Sequence, residues 1–314
     1  MRVLLQLPEG LKAEACRLAR KLESAGDEII ISASPCFGAC DLALREAEAV
    51  GAKKIIHCGH AEFPFPKKNK PKIPVEYVEF PSEIKLAPVL ALALADPDFR
   101  KCKKVGVVTT VQHVKKIGEI KRLLESAGKT VLVGRRGPRA KYDGQILGCD
   151  VGAAASVGKK SDCILYVGGG LFHPIGVAVS TELRVLAADP FQGKAFWMDG
   201  AAKKFVSRRK GIMMAAASAE SLGIIVSVKP GQENLEGARR LKKKLASAGK
   251  RAEILVTDFV SPEALGNFRC FGAFVCTACP RIAFDDAERF GKPMLTFEEG
   301  CELARQLNAL KRDS

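Results

Sequence analysis

Hydrophobic residues run along this chain in two rhythms, and the alternation between them occurs three times. Short aliphatic runs, Arg2 to Leu7, Lys104 to Thr110 and Gly223 to Val228, have the length and β-branched content of buried strands. Each leads into a stretch with apolar residues three and four apart, such as Ala15, Leu18, Ala19 and Leu22, the spacing of one helix face. Each helical stretch closes on the same signal: Leu22-Glu23-Ser24-Ala25-Gly26, Leu124-Glu125-Ser126-Ala127-Gly128 and Leu245-Ala246-Ser247-Ala248-Gly249. Glycine suits a helix C-cap because it alone adopts the left-handed conformation there without steric cost. An aliphatic strand candidate follows at once each time.

Later strands complete each unit: Lys54 to His57 and Val75 to Val78, then Cys163 to Val167 and Leu183 to Ala187, then Ala273 to Cys276 and Met294 to Thr296. Strands alternating with helices predict parallel sheets with helices on their faces. The cap glycines lie 102 and 121 residues apart. The fold class is therefore α/β, with three homologous parallel-sheet domains of roughly 100 residues, where length alone suggests about two. Boundaries near Pro97 and Ser218 give domains 1–98, 99–218 and 219–314, with Ala201 to Ala217 as a connecting helix.

Composition narrows the class. With 47% hydrophobic and 27% charged residues, the chain is neither disordered nor collagen-like nor a disulfide scaffold. Its longest apolar run, Leu86 to Ala95, has ten residues and contains Pro88, well short of the ~18 a membrane span requires. No signal-peptide pattern opens the sequence, so a cytoplasmic protein with no membrane contact is expected. Net charge is +15, from 50 Lys and Arg against 35 Asp and Glu, which favours acidic partners. Only 6% of residues are aromatic and none interleave with the basic clusters, so no specific nucleic-acid site is expected.

Eleven cysteines in a reducing compartment point to metal binding or catalysis, not to disulfides. Cys16, Cys58, Cys163 and Cys270 sit among apolar residues and read as core, since an unbridged thiol packs as a small hydrophobe. Cys102 falls in a basic, exposed turn and Cys301 in the last helix. Three others lie in loops at carboxyl ends of strands, where α/β sheets bind ligands. Cys40 is in Phe37-Gly38-Ala39-Cys40-Asp41, Cys149 in Gly144-Gln145-Ile146-Leu147-Gly148-Cys149-Asp150, and Cys279 in Cys279-Pro280-Arg281. Asp41 and Asp150 read as helix-initiating residues. One outward cysteine per unit makes a trithiolate site, and three thiolates leave one iron of a [4Fe-4S] cluster open for a ligand. A structural zinc site from Cys36, Cys40, Cys276 and Cys279 has ligand-like spacing too, and a chain without metal remains a third reading.

These cysteine segments resemble the diphthamide biosynthesis enzymes of archaea that catalyse the first step of that pathway. Also similar are Gln6-Leu7-Pro8-Glu9-Gly10-Leu11, Gly59-His60, Gly168-Gly169-Gly170-Leu171-Phe172-His173-Pro174 and Gly231-Gln232. The match runs in order along nearly the whole chain. The resemblance implies three related domains in a triangular arrangement around a central [4Fe-4S] cluster held by Cys40, Cys149 and Cys279, in a homodimer. It implies that S-adenosylmethionine binds the open iron and is cleaved at the methionine γ-carbon. The resulting 3-amino-3-carboxypropyl radical would add to C2 of a histidine imidazole in translation elongation factor 2, with an electron donor as a further partner. The CxxxCxxC loop of ordinary radical enzymes using this cofactor is absent.

Contacts to the cofactor are assigned by loop position. Gly168, Gly169 and Gly170 follow a strand and permit close backbone approach; His60, His173, Gln232 and Arg281 are the polar candidates. Two alternatives remain: a quinolinate-synthase-like iron–sulfur enzyme, and a zinc-stapled α/β protein binding RNA or ribosomes.

Overall fold

A computed structural model of the chain describes residues 1–23, 26–284 and 287–311. The chain forms two compact units, Met1–Ala202 and Lys203–Ser314. In the first, β1 (Arg2–Gln6), β2 (Glu28–Ile31), β3 (Lys54–Cys58) and β4 (Val75–Val78) make a parallel sheet in the order β2-β1-β3-β4. The same unit carries β5 (Lys104–Thr109), β6 (Thr130–Val133), β7 (Cys163–Val167), β8 (Val185–Asp189) and β9 (Lys194–Trp197), ordered β6-β5-β7-β8-β9. The second unit holds β10 (Ser221–Ser227), β11 (Arg251–Thr257), β12 (Ala273–Cys276) and β13 (Met294–Thr296), ordered β11-β10-β12-β13 and parallel throughout.

One winding therefore recurs in all three sheets. The first strand lies between the second and third, so the connections leaving the first and third strands run opposite ways, and their carboxyl ends form the switch point at which such sheets bind ligands. Burial follows the aliphatic runs: every residue of β7 is buried, as are four of the five in β1. Helices cover the sheet faces through apolar stripes, as where Ala238, Leu241 and Leu245 of the helix Leu235–Ser247 pack on β10 and β12. The helix Ala87–Ala95 packs likewise on the second sheet through Val89, Leu90 and Ala93. Gly26, Gly128 and Gly249 take φ of 86°, 78° and 82°, the left-handed caps their position calls for. Ser24 and Ala25 of the first signal lie outside the described residues.

Several expectations change. The second sheet is not wholly parallel, because β9 adds an antiparallel edge through Leu186↔Trp197. The connecting helix runs Asp199–Ser218 and buries only Arg209 and Ala216. Cys58 and Cys163 are core residues, but Cys16 and Cys270 are exposed. Ala15 and Ala19 form the buried face of the first helix, and Cys16, one position on, points away from it. Cys102 is half-buried against the second sheet's core rather than exposed. Among the described residues no helix is long and apolar enough to cross a membrane.

Candidate metal centre

The loop after β2 carries Cys40 on a tight turn. The Asp41 amide donates to the Gly38 carbonyl at 2.9 Å, placing Ala39 and Cys40 at the turn's centre. Gly38 lies beside the sulfur, where a Cβ would be in ordinary contact with the Cys40 Sγ at 3.5 Å. Asp41 is buried at 4% exposure and does not initiate the following helix, whose first residue is Leu44 and whose N-cap, Ala43, makes no side-chain bond. Its carboxylate instead accepts the Phe37 amide at 3.2 Å, closing the loop on itself. From β1, Gln6 donates to the Asp41 carbonyl at 2.7 Å and accepts the Ala43 amide at 3.2 Å. The turn is thus fastened to the sheet.

The loop after β6 presents Cys149 the same way. The Asp150 amide donates to the Leu147 carbonyl at 3.1 Å, and the Leu147 amide returns to Asp150 at 2.8 Å, with Gly148 and Cys149 at the tip. Each residue of the preceding motif has a task. Gly144 takes φ 74° where a Cβ would meet Ile117. The Gln145 side chain accepts the Lys141 and Tyr142 amides at 3.0 and 3.1 Å, and Ile146 is core. Gly148 lies against the Phe172 ring, where a Cβ would overlap it. Asp150 accepts the Arg139 amide at 2.7 Å and the Gly152 amide at 2.9 Å; it braces the loop and meets the first residue of the helix Gly152–Gly158. Tyr142 anchors the loop to the end of β4 through a 2.6 Å bond to Glu79.

Arg139 connects these two turns. Burial opposes its charge, but a side-chain hydrogen bond to Cys149, with the nearby Cys149, Cys40 and Asp150, holds the guanidinium above its ordinary pKa. Cationic support beside two thiols suits a bound group that needs them as thiolates. Nothing in the sequence marked Arg139, because a lone arginine in a loop reads as solvated surface.

In the second unit, Cys279 precedes the short helix Pro280–Phe284, and its carbonyl accepts the Ile282 amide at 3.1 Å. Its thiol is half-buried. Arg281 lies in that helix, and Gln232 ends a turn closed by its amide on Lys229 at 3.0 Å. Cys276 is a core residue of β12, its thiol pushed up to about 12 by burial.

At the carboxyl end of β7, Gly168 (φ 154°) and Gly170 (φ 77°) form the turn ahead of His173. A Cβ on Gly168 would lie 2.7 Å from the Tyr166 hydroxyl. Asp189 accepts the Gly170 amide at 3.3 Å, and the His173 ring stacks on Tyr166 at 6.3 Å. Beside this turn sits a residue the sequence did not reveal. His113 is fully buried, packs at 5.7 Å on Phe191, and has no hydrogen-bond partner for either ring nitrogen among the described residues. His60 is placed differently, hydrogen-bonded to His57 at 3.0 Å beside the Cys40 loop.

The family described as "Putative diphthamide synthesis protein" matches residues 7–310. A relative from Pyrococcus horikoshii, named 2-(3-amino-3-carboxypropyl)histidine synthase, is 38% identical over 299 residues, covering 95% of this chain and 84% of its own. Subunit 1 of the synthase of that name from Gibberella zeae is 28% identical over 303 residues, or 94% of this chain and 63% of that subunit. Among solved structures, Dph2 from Pyrococcus horikoshii with a 4Fe-4S cluster superposes with a TM-score of 0.89 at 36% identity, covering 97% of this chain and 86% of that one.

Proposed function

Because the chain belongs to the diphthamide synthesis family, we propose that it is a 2-(3-amino-3-carboxypropyl)histidine synthase that acts on translation elongation factor 2. It transfers the 3-amino-3-carboxypropyl group of S-adenosylmethionine to C2 of one histidine imidazole by a radical route. The observation that carries this reading is the pair of matching turns that present Cys40 and Cys149 to one guanidinium, that of Arg139. The family match leaves the quinolinate-synthase-like and zinc-stapled alternatives without support.

The donor set fits an iron–sulfur cluster. Cys40 and Cys149 stand on braced turn tips, Cys279 at a loop-to-helix junction, and one comes from each of domains 1–98, 99–218 and 219–314. When bound, a [4Fe-4S] cluster on three thiolates supplies one-electron reduction and an iron with one open position. The chain's own residues do the rest. Arg139 offsets the negative charge of the thiolates, and Asp41 and Asp150 hold the turns in register. Gly168, Gly169 and Gly170 bring backbone amides close to S-adenosylmethionine, with His173 beside them. Gln232 and Arg281 receive its polar groups, and His113 supplies a buried ring nitrogen. The protein works as a homodimer and draws electrons from a separate donor.

The test is anaerobic incubation of reconstituted protein with S-adenosylmethionine, a reductant and elongation factor 2, followed by mass spectrometry of the factor. A 3-amino-3-carboxypropyl adduct on one histidine, with methylthioadenosine released, supports the reading. An unmodified factor beside intact cluster and cofactor contradicts it.

A further inference from the structure

The carboxyl ends of β1 and β3 carry a second cluster of metal-ligating groups. Gln6 and His57 are register partners across the two strands. The Ala43 amide can only donate, so the Gln6 atom it meets is Oε1, and the His57 Nδ1, 2.9 Å from that oxygen, is the protonated ring nitrogen. The His57 lone pair is then on Nε2, facing His60 at 3.0 Å. The Cys36 sulfur comes to the same point, and one ligand atom from each of Cys36, His57 and His60 lies within 4.8 Å of the others. Cys36 is 3% exposed and His57 fully buried, while His60 reaches partly to the surface.

We propose that Cys36, His57 and His60 form a second metal site, separate from the trithiolate, that takes one borderline-soft divalent cation of the zinc class. The site does not depend on the cluster assignment. Two imidazoles and one thiolate are the donors such a cation prefers, and the partly exposed His60 side leaves a fourth position for water or another small ligand. The Gln6 contact on His57 Nδ1 is the outer-sphere hydrogen bond that metal-binding histidines almost always make. Metal binding replaces the His57–His60 hydrogen bond and releases the Cys36 thiol proton to solvent.

The experiment uses the full chain with Cys40→Ala, Cys149→Ala and Cys279→Ala together, so that cluster iron does not interfere, titrated anaerobically with Co2+ alone. The expected result is saturation at one Co2+ per chain, with a thiolate-to-cobalt charge-transfer band, the visible bands of four-coordinate cobalt, and displacement by Zn2+. In that background Cys36→Ser abolishes the charge-transfer band, and His60→Ala weakens Co2+ binding by about tenfold or more, with the far-ultraviolet circular dichroism unchanged. Absence of the charge-transfer band, or a band that persists in Cys36→Ser, overturns the proposal.

Discussion

The backbone amide of Arg139 is held by the Asp150 carboxylate at 2.7 Å, and its guanidinium lies in the field of the neighbouring Cys149. The residue following the cysteine thus fixes the cation that faces the cysteine. Cys40 adds to the field on that guanidinium, so one positive charge serves two turns from different sheets of the same unit.

Arg139→Leu is expected to loosen the metal centre without unfolding the chain. Loss of such an outer-sphere partner costs about 10–100-fold in metal affinity. The rate of iron release to a chelator measures it. Arg139→Lys keeps the charge but not the planar fork, so it should fall between wild type and Leu.

Gly148→Ala forces a methyl group into the Phe172 ring. Overpacking of this kind costs about 1–3 kcal/mol, visible as a lower urea midpoint. Phe172→Leu in the same chain should recover much of the loss, because it empties the space the methyl needs.

His113 gives a pH signature. Burial lowers its pKa, Lys116 pushes the same way, and Asp189 opposes them without prevailing. The unfolded chain takes up this proton near the ordinary value of about 6.5, while the folded chain resists it. Stability from this residue is therefore intact above about pH 6.5 and declines as pH falls toward the folded pKa. His113→Leu should flatten that acid limb in urea unfolding compared between pH 5 and pH 7. It also removes an unsatisfied buried group, which costs about 1–3 kcal/mol, so stability at pH 7 should rise while transfer activity falls.

In the second unit, Arg209 is 7% exposed and donates to Glu299 at 2.8 Å, to the Ala283 carbonyl at 2.7 Å and to the Met294 carbonyl at 2.8 Å. Glu299 also completes the capping box with Thr296. Arg209→Ala leaves that carboxylate and two carbonyls without their cation, and a loss of about 3–5 kcal/mol is expected, measured by thermal or urea unfolding.

What the sequence made legible was whatever has a short-range period. Ala15, Leu18, Ala19 and Leu22 announce a helix, and Gly128 announces its end, because both signals act within a few residues. The face a residue takes is harder: Cys16 sits among apolar neighbours yet points outward, one step from the buried Ala15. β9 escaped notice because Lys194 to Trp197 becomes a strand by pairing with β8, not by a pattern of its own. The turns at Cys40 and Cys149 could be found from their motifs, but not the bracing role of Asp41, which reaches back to Phe37 where helix capping was expected. Arg139, His113 and the grouping of Cys36 with His57 and His60 arise from contacts distant in sequence, which single-residue reading does not reach.

The central claim is that Cys40, Cys149 and Cys279 hold the cluster. Its most direct test is iron and sulfide analysis, with an absorption spectrum, after anaerobic reconstitution of single alanine variants. Each of Cys40→Ala, Cys149→Ala and Cys279→Ala should lose the cluster, while Cys36→Ala and Cys276→Ala keep iron and sulfide in cluster stoichiometry. A full cluster in Cys149→Ala, with loss in Cys36→Ala or Cys276→Ala, would contradict the account.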